Sequence, residues 1–232
     1  MKIIAVVQSN FIPWRGYFDL IGAVDEFILF DEVQYTRRDW RNRNLIKTPK
    51  GKEWLTVPVE VKGKFEQKIC DTKIANASWR ANHLKALTYN YKKSPFFCEV
   101  MELLAPLYGQ TEVTNLSALN KSLIVAICNY LAIKTLITQS SEFNLINGKS
   151  ERLVELCLQA GATHYVSGPA ARCYLNEELF SKHGIEVIWF NYGGYLEYPQ
   201  QWGDFIPNLS ILDLLFNCGK ASPNFMRFPR DG

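Results

Sequence analysis

Residues 3–7 of this chain are a short β-branched apolar run, and it ends abruptly in Gln8-Ser9-Asn10, followed by Phe11-Ile12-Pro13-Trp14-Arg15-Gly16-Tyr17-Phe18. Amide, hydroxyl, guanidinium and indole groups therefore crowd the point where a strand should stop. The crowding continues through Asp25, Asp31, Gln34, Tyr35, Trp40, Asn42, Arg43 and Asn44 to Trp54-Leu55-Thr56-Val57-Pro58. A core has no use for so many polar groups, whereas a ligand crevice does: amides and guanidinium groups supply directional donors, and indoles supply stacking faces. Gln8 falls at a strand's carboxyl end, which faces the crevice in open α/β sheets, so it reads as a ligand-bonding, catalytic group or as one that only satisfies the next turn. Gly16 at the following helix start permits close backbone approach, with Pro13 and Tyr17 beside it. Asp31 reads either as a helix cap or as a catalytic group beside Gln34 and Tyr35. Arg43, with its planar fork, is the expected phosphate partner, anchored by Asn42 and Asn44. Trp40 either stacks on a base or sugar ring or packs against the hairpin.

Later in the chain, His83 is the best-positioned of the three histidines for proton transfer, because Trp79, His83 and Leu87 share one helix face. A buried structural histidine is the competing reading. Ser167-Gly168 follows an expected strand and suits an anion-binding turn, but no Gly-x-Ser-x-Gly elbow surrounds it, so a hydrolase triad is rejected. Tyr198 and Gln200 lie in a tyrosine-rich loop suited to a pocket wall, and Ser210 and Asp213 lie three apart on an apolar helix. Ser210 suits a cap, and Asp213 could orient a basic partner in the site. Arg37, Arg38, Arg41, Arg43, Lys47, Lys50 and Lys52 form a basic stretch broken only by Asp39. It reads as a solvated loop or as a phosphate-binding arm.

The elements that must position these groups follow from apolar periodicity. Strand 3–7, helix 17–24 and strand 27–30 open the chain, and a hairpin turning at Pro49-Lys50-Gly51-Lys52 comes next. Three helices follow over 78–91, from Ser94-Pro95 to 108, and over 115–131. Strands at 135–138, 163–166 and 185–190 then alternate with helices at 150–160 and 177–183, each helix ended by a glycine. Alternation of this kind predicts an α/β, Rossmann-like fold with a largely parallel sheet, a β-hairpin arm and a helical insertion. The expected organisation is one domain over 1–219, with the arm at 40–61, a helical subdomain at 78–132 and a frayed tail at 220–232.

With 232 residues, 47% hydrophobic and 21% charged, the chain is long enough for a sizeable core, and its net charge of +3 does not demand a broad nucleic-acid face. The six cysteines are scattered, without a Cys-x-x-Cys pair or a histidine at zinc spacing, so free thiols, no metal site and a cytoplasmic location are expected. Cys98, Cys128 and Cys157 read as small buried hydrophobes. The apolar runs are too short for a signal peptide or a membrane span.

Gln8, Pro13-Trp14-x-Gly16-Tyr17-Phe18, Asp25, Asp31-x-Val33-Gln34, Asn42-Arg43-Asn44, Trp54-Leu55-Thr56-Val57-Pro58, Tyr165-x-Ser167-Gly168, Tyr198-x-Gln200 and Leu209-Ser210-Ile211-x-Asp213-Leu214-Leu215 together resemble the WbqC-like family, over about residues 3–219. Val7 and Ser9 stand where a histidine and a proline commonly flank the family's glutamine, so any role of that histidine is missing here. The resemblance implies a bacterial protein of surface-polysaccharide (O-antigen) assembly. The leading expectation is an acyl- or aminoacyltransferase acting on the amine of a nucleotide-linked amino sugar, with acyl-CoA or aminoacyl-tRNA as donor. His83 would neutralise the amine, and backbone N–H groups near Gly16 or Gly168 would meet the oxyanion. A fainter similarity, at the turn from the first strand into the first helix, is to nucleotidyltransferases and pantothenate-synthetase-like ligases. Their His-x-Gly-His aligns with Trp14-Arg15-Gly16-Tyr17, which keeps the glycine and loses both histidines. The alternatives are ATP-dependent carboxylate activation or nucleotidyl transfer, and a non-catalytic ligand-binding subunit. Charged tRNA is the macromolecular donor that the basic arm would suit.

Overall fold

The β-branched run Ile3–Val7 forms β1 at the centre of the sheet in a computed structural model that describes residues 1–228. In chain order there follow α1 (Arg15–Gly22), β2 (Glu26–Leu29), the hairpin strands β3 (Arg43–Thr48) and β4 (Gly51–Thr56), and helices α2 (Ser78–Tyr91), α3 (Phe97–Gly109) and α4 (Leu116–Tyr130). The second half runs β5 (Leu136–Gln139), α5 (Ser150–Gln159), β6 (His164–Ser167), α6 (Glu177–Lys182), β7 (Glu186–Trp189) and α7 (Ile211–Cys218). Five strands pair in parallel in the order β5-β2-β1-β6-β7, and β3 and β4 pair antiparallel as a separate ribbon. This is a doubly wound, Rossmann-like α/β fold whose strand order reverses between β1 and β6.

Side-chain alternation along the strands divides the core. Ala5, Phe27, Leu29 and Val166 pack toward α1, α4 and α7, and Ile4, Val6, Ile28 and Tyr165 pack toward α5 and α6. Both faces are covered, so the strands read as continuous apolar runs. The helices over 78–130 do not keep a core of their own. Leu87, Tyr91, Leu104 and Leu123 join the cluster that also holds Phe18 of α1 and Phe216 of α7.

Three local expectations are corrected. Ser94 closes the turn after α2 through its N–H to the Tyr91 carbonyl at 2.8 Å, so α3 begins at Phe97 rather than at Ser94-Pro95. Cys98 is exposed because the buried stripe of α3 runs through Val100, Leu104 and Tyr108, whereas Cys128 and Cys157 are buried. The segment after α7 is not frayed over its described part: Gly219–Phe225 forms a 3-10 helix, and the Arg227 and Phe228 N–H groups donate to Asp19 Oδ1 at 2.8 and 3.0 Å. Its prolines suggest disorder, but its phenylalanines pack on the main core. Pro229 and Arg230 lie outside the described residues.

Candidate functional site

At the reversal of strand order, the carboxyl ends of β1 and β6 diverge and leave a cavity of about 540 Å³. Gln8, Ser167 and Gly168 line it from the strand ends, Phe30 from the end of β2, and Lys149 and Arg152 from the start of α5. The position follows from topology: successive crossovers leave β1 and β6 toward opposite faces, so no connection covers the gap between them. The volume is that of an ordinary small-molecule site. Two cations and no carboxylate line it among the described residues, and the first-turn N–H groups of α5 add positive potential, so an anionic ligand fits. Arg152 is anchored by Nε donating to the Ile146 carbonyl at 2.8 Å, and Lys149 is exposed at the mouth. A cavity of about 670 Å³ lies at the opposite, amino ends of β2 and β5, near Asp25, Lys134 and Lys220. The start of the 3-10 helix Gly219–Phe225 and the carboxyl end of α4 meet there, and the Tyr130 carbonyl already accepts from Lys220 at 3.1 Å.

The loop from Gln8 to Trp14 carries the polar cluster and is held from several elements. Ser9 N–H donates to Asp31 Oδ1 at 2.8 Å, and Asn120 Nδ2 donates to Ser9 Oγ at 3.0 Å. Asn44 Nδ2 reaches from β3 to the carbonyls of Phe11 (3.1 Å) and Ile12 (2.9 Å), and Ser210 Oγ also donates to the Ile12 carbonyl at 2.8 Å. These bonds hold Ile12 at φ +37°, a costly conformation for a β-branched residue. A second cavity, of about 260 Å³, opens on the other side of the loop, between Pro13, Trp14 and Trp40, with Asn10, Asn44 and Asn208 on its walls. Arg41 joins the two: its Nη2 donates to Gln8 Oε1 at 3.2 Å and its Nη1 to Asn10 Oδ1. Gln8 Nε2 has no hydrogen-bond partner among the described residues.

The WbqC-like protein family model matches residues 8–225, a span that holds the loop between the two cavities and, apart from Val6 and Val7, the residues that line them. The chain belongs to the WbqC-like family. It is 54% identical over 230 residues to the protein named "Uncharacterized protein Rv1507c" from Mycobacterium tuberculosis (strain ATCC 25618 / H37Rv), covering 99% of this chain and 100% of that one. No solved structure matches.

The candidate residues read from the sequence separate into those that border a cavity and those that do not. Gln8, Ser167 and Gly168 border the larger cavity, and Pro13, Trp40 and Asn44 border the smaller. The others serve the architecture. Asp31 is buried and accepts from Ser9 N–H and Ser117 Oγ. Tyr17 is buried and donates to the Gln8 carbonyl at 3.0 Å. The space above Gly16 is filled by the Trp14 indole, within 2.4 Å of where a Cβ would sit, so this glycine accommodates a ring of the protein itself. Gln34 Nε2 donates to the Phe65 carbonyl and Tyr35 N–H to the Gln67 carbonyl, both at 2.9 Å, pinning the loop after β4. Asn42 Nδ2 closes the hairpin base on the Val57 carbonyl at 2.8 Å. Arg43 stacks over Trp54 at 4.0 Å on the outside of the hairpin.

His83 lies in the helical layer, 5% exposed, against Phe11, Trp79 and Tyr108, and its Nε2 donates to the Thr56 carbonyl at 3.1 Å. Burial pushes its pKa down to about 4, against the bond to Thr56, so the ring is neutral and borders neither cavity. Tyr198, Gln200 and Asp213 belong to a buried network. Tyr91 and Tyr198 hydroxyls donate to Asp213 at 2.8 and 2.9 Å, and Lys47 Nζ donates to Gln200 Oε1 at 3.0 Å and to the Asp204 carbonyl at 2.6 Å. Burial raises the Asp213 pKa, and the two tyrosine hydroxyls oppose that rise. Ser210 caps α7 through Leu212 N–H at 3.3 Å.

Sequence reasoning alone passes over Asn10, Trp14, Lys149, Arg152 and Asn208 as site residues, and treats Arg41 only as one member of the basic run. Lys149 and Arg152 carried a usable signal. They follow Asn147-Gly148 at the start of the helix that crosses from one half of the fold to the other. Among the described residues, no helix is long and apolar enough to cross a membrane, and no group of three His, Cys, Asp or Glu is arranged to hold a metal ion.

Proposed function

We propose that the protein binds a nucleotide-linked amino sugar at the strand-end crevice and acylates its amine, as an acyl- or aminoacyltransferase of bacterial surface-polysaccharide assembly. The observation that carries this reading is the cavity at the reversal of strand order, lined by Lys149, Arg152, Gln8, Ser167 and Gly168 and free of carboxylates among the described residues. A diphosphate is the ligand that such a lining suits best: two cations, a helix start and strand-end amides meet its charge. The polysaccharide setting rests on the family resemblance. The donor is an acyl-CoA or an aminoacyl-tRNA.

In the reaction, the amine nitrogen attacks the acyl carbon, a C–N bond forms, and the C–S or C–O bond to the donor breaks with its electron pair leaving on the thiolate or ribose oxygen. No histidine or carboxylate lines either cavity among the described residues, so the amine loses its proton to solvent and the rate follows the fraction of free amine. Arg41 and the Gly168 N–H are the donors suited to the developing oxyanion. His83 is assigned to packing.

Nucleotidyl transfer on the α1 start is disfavoured, because Trp14 covers Gly16 and the Arg15 guanidinium is turned away, donating to the Leu196 and Phe225 carbonyls at 2.7 and 3.0 Å. The test is mass spectrometry of a nucleotide-linked amino sugar incubated with the protein and either acyl-CoA or charged tRNA, with and without ATP. An amide product without ATP, formed at a rate that rises with pH toward the pKa of the amine, is expected. Product only with ATP, or none with an amino sugar, would overturn the reading.

A further inference from the structure

We infer that the smaller cavity beside Trp40 is a subsite for a single uncharged or amino-substituted sugar ring, and that Arg41 links it to the nucleotide crevice. Its walls are two indoles and a proline, with three primary amides and no charged side chain. That combination suits a polyhydroxylated ring, whose C–H face stacks on an aromatic plane while its hydroxyls exchange hydrogen bonds with amides. A phosphate or carboxylate would find no cation on these walls. At about 260 Å³, the cavity is below the roughly 300–1,000 Å³ of drug-sized sites, so it takes one ring rather than a nucleotide.

The walls differ in how far they are committed. Asn44 spends its Nδ2 on the Phe11 and Ile12 carbonyls and serves as a fixed surface. Asn10 offers Oδ1 to Arg41, which orients its amide and leaves Nδ2 as a donor. Asn208 is exposed, held at φ +58°, and its amide makes no hydrogen bond among the described residues. Trp40 is 43% exposed and lies 5.4 Å from Trp54, so one indole supports the other while leaving a face open. Arg41 contacts Gln8 on one cavity and Asn10 on the other, so a ligand filling both would run past its guanidinium. This inference rests on the nucleotide-sugar reading only in joining the two cavities; the sugar subsite stands on its own residues.

The experiment follows intrinsic tryptophan fluorescence and calorimetry with UDP, UDP-glucosamine, and the methyl glycosides of glucosamine and galactosamine. The proteins are wild type, Trp40→Ala, Trp40→Phe and Lys149→Gln. A saturable signal from at least one methyl glycoside is expected. It should weaken about tenfold in Trp40→Ala, a change of ~1.4 kcal/mol, and recover in Trp40→Phe, while Lys149→Gln leaves it intact. UDP-glucosamine should bind more tightly than UDP, and Trp40→Ala should erase that margin without changing UDP binding. Glycoside binding that survives Trp40→Ala, or no glycoside signal from the wild type, overturns the subsite. Absence of UDP binding strikes the nucleotide reading instead and leaves the glycoside arm to decide this one.

Discussion

Two polar regions of this molecule are built from similar residue types and have opposite fates. Around Asp213, two tyrosine hydroxyls and a lysine are almost wholly removed from water beside a half-buried glutamine, and the groups answer one another: Lys47 is 1% exposed, Asp213 is 0% exposed, and each makes at least two hydrogen bonds. At the ends of β1 and β6, Gln8, Lys149 and Arg152 face a cavity, and the partnering is incomplete. The first region ties the hairpin, α2, α7 and the tyrosine-rich loop together; the second leaves donors for something outside the chain. The difference lies in saturation rather than composition: a polar group whose partners all come from the protein is held within the fold, and one left short of partners beside a cavity has capacity to spare for a ligand.

This contrast can be broken by substitution. Asp213→Ala should cost about 3–5 kcal/mol in urea denaturation, since it strands two buried hydroxyls and removes the only carboxylate of the network. A loss under about 1 kcal/mol would mean that the network is not structural. His83 sharpens the same point through pH. Its folded pKa of about 4 lies below the unfolded value of 6.5, so the unfolded chain binds the proton first. Stability is therefore full above about pH 6.5 and falls as pH drops toward 4, by up to ~3 kcal/mol from this group. His83→Gln should flatten that slope while leaving the proposed amide-forming activity unchanged; a slope that persists would sink the assignment of His83 to packing.

A smaller effect is expected at the loop between the cavities. Asn44→Ala leaves the Phe11 and Ile12 carbonyls without their shared donor, and about 1–3 kcal/mol of stability should go with it. UDP-glucosamine binding, measured by calorimetry, should weaken in the same variant, because Ile12 is released from its strained φ. Smallest of all is Lys149→Gln, where thermal unfolding should report a change under about 0.5 kcal/mol although UDP affinity falls. Equal stability losses at Lys149 and Asp213 would erase the distinction between the two regions.

What the sequence determined by itself was the order and type of the elements and the existence of a crevice. Apolar period and glycine stops are local properties, so β1, α5, α6 and the parallel alternation were legible, as was Gln8 at the end of β1. The glycine after α5 and the Trp79-His83-Leu87 face likewise read correctly from spacing. Tertiary structure decided which polar residues face that crevice. Asp31, His83, Tyr198 and Asp213 looked like chemistry because carboxylates, imidazoles and phenols are chemical groups; Asp31 pairs with Ser117, His83 with Thr56, and Asp213 with Tyr91 and Tyr198, partners from other elements that only folding supplies. Lys149 and Arg152 drew no notice in the sequence, and the reversal of strand order, a property of the whole sheet, placed their helix start beside Gln8. A side chain's type is fixed by its codon, but whether its hydrogen-bonding capacity is spent inside the protein depends on neighbours that only the closed fold brings within 3 Å.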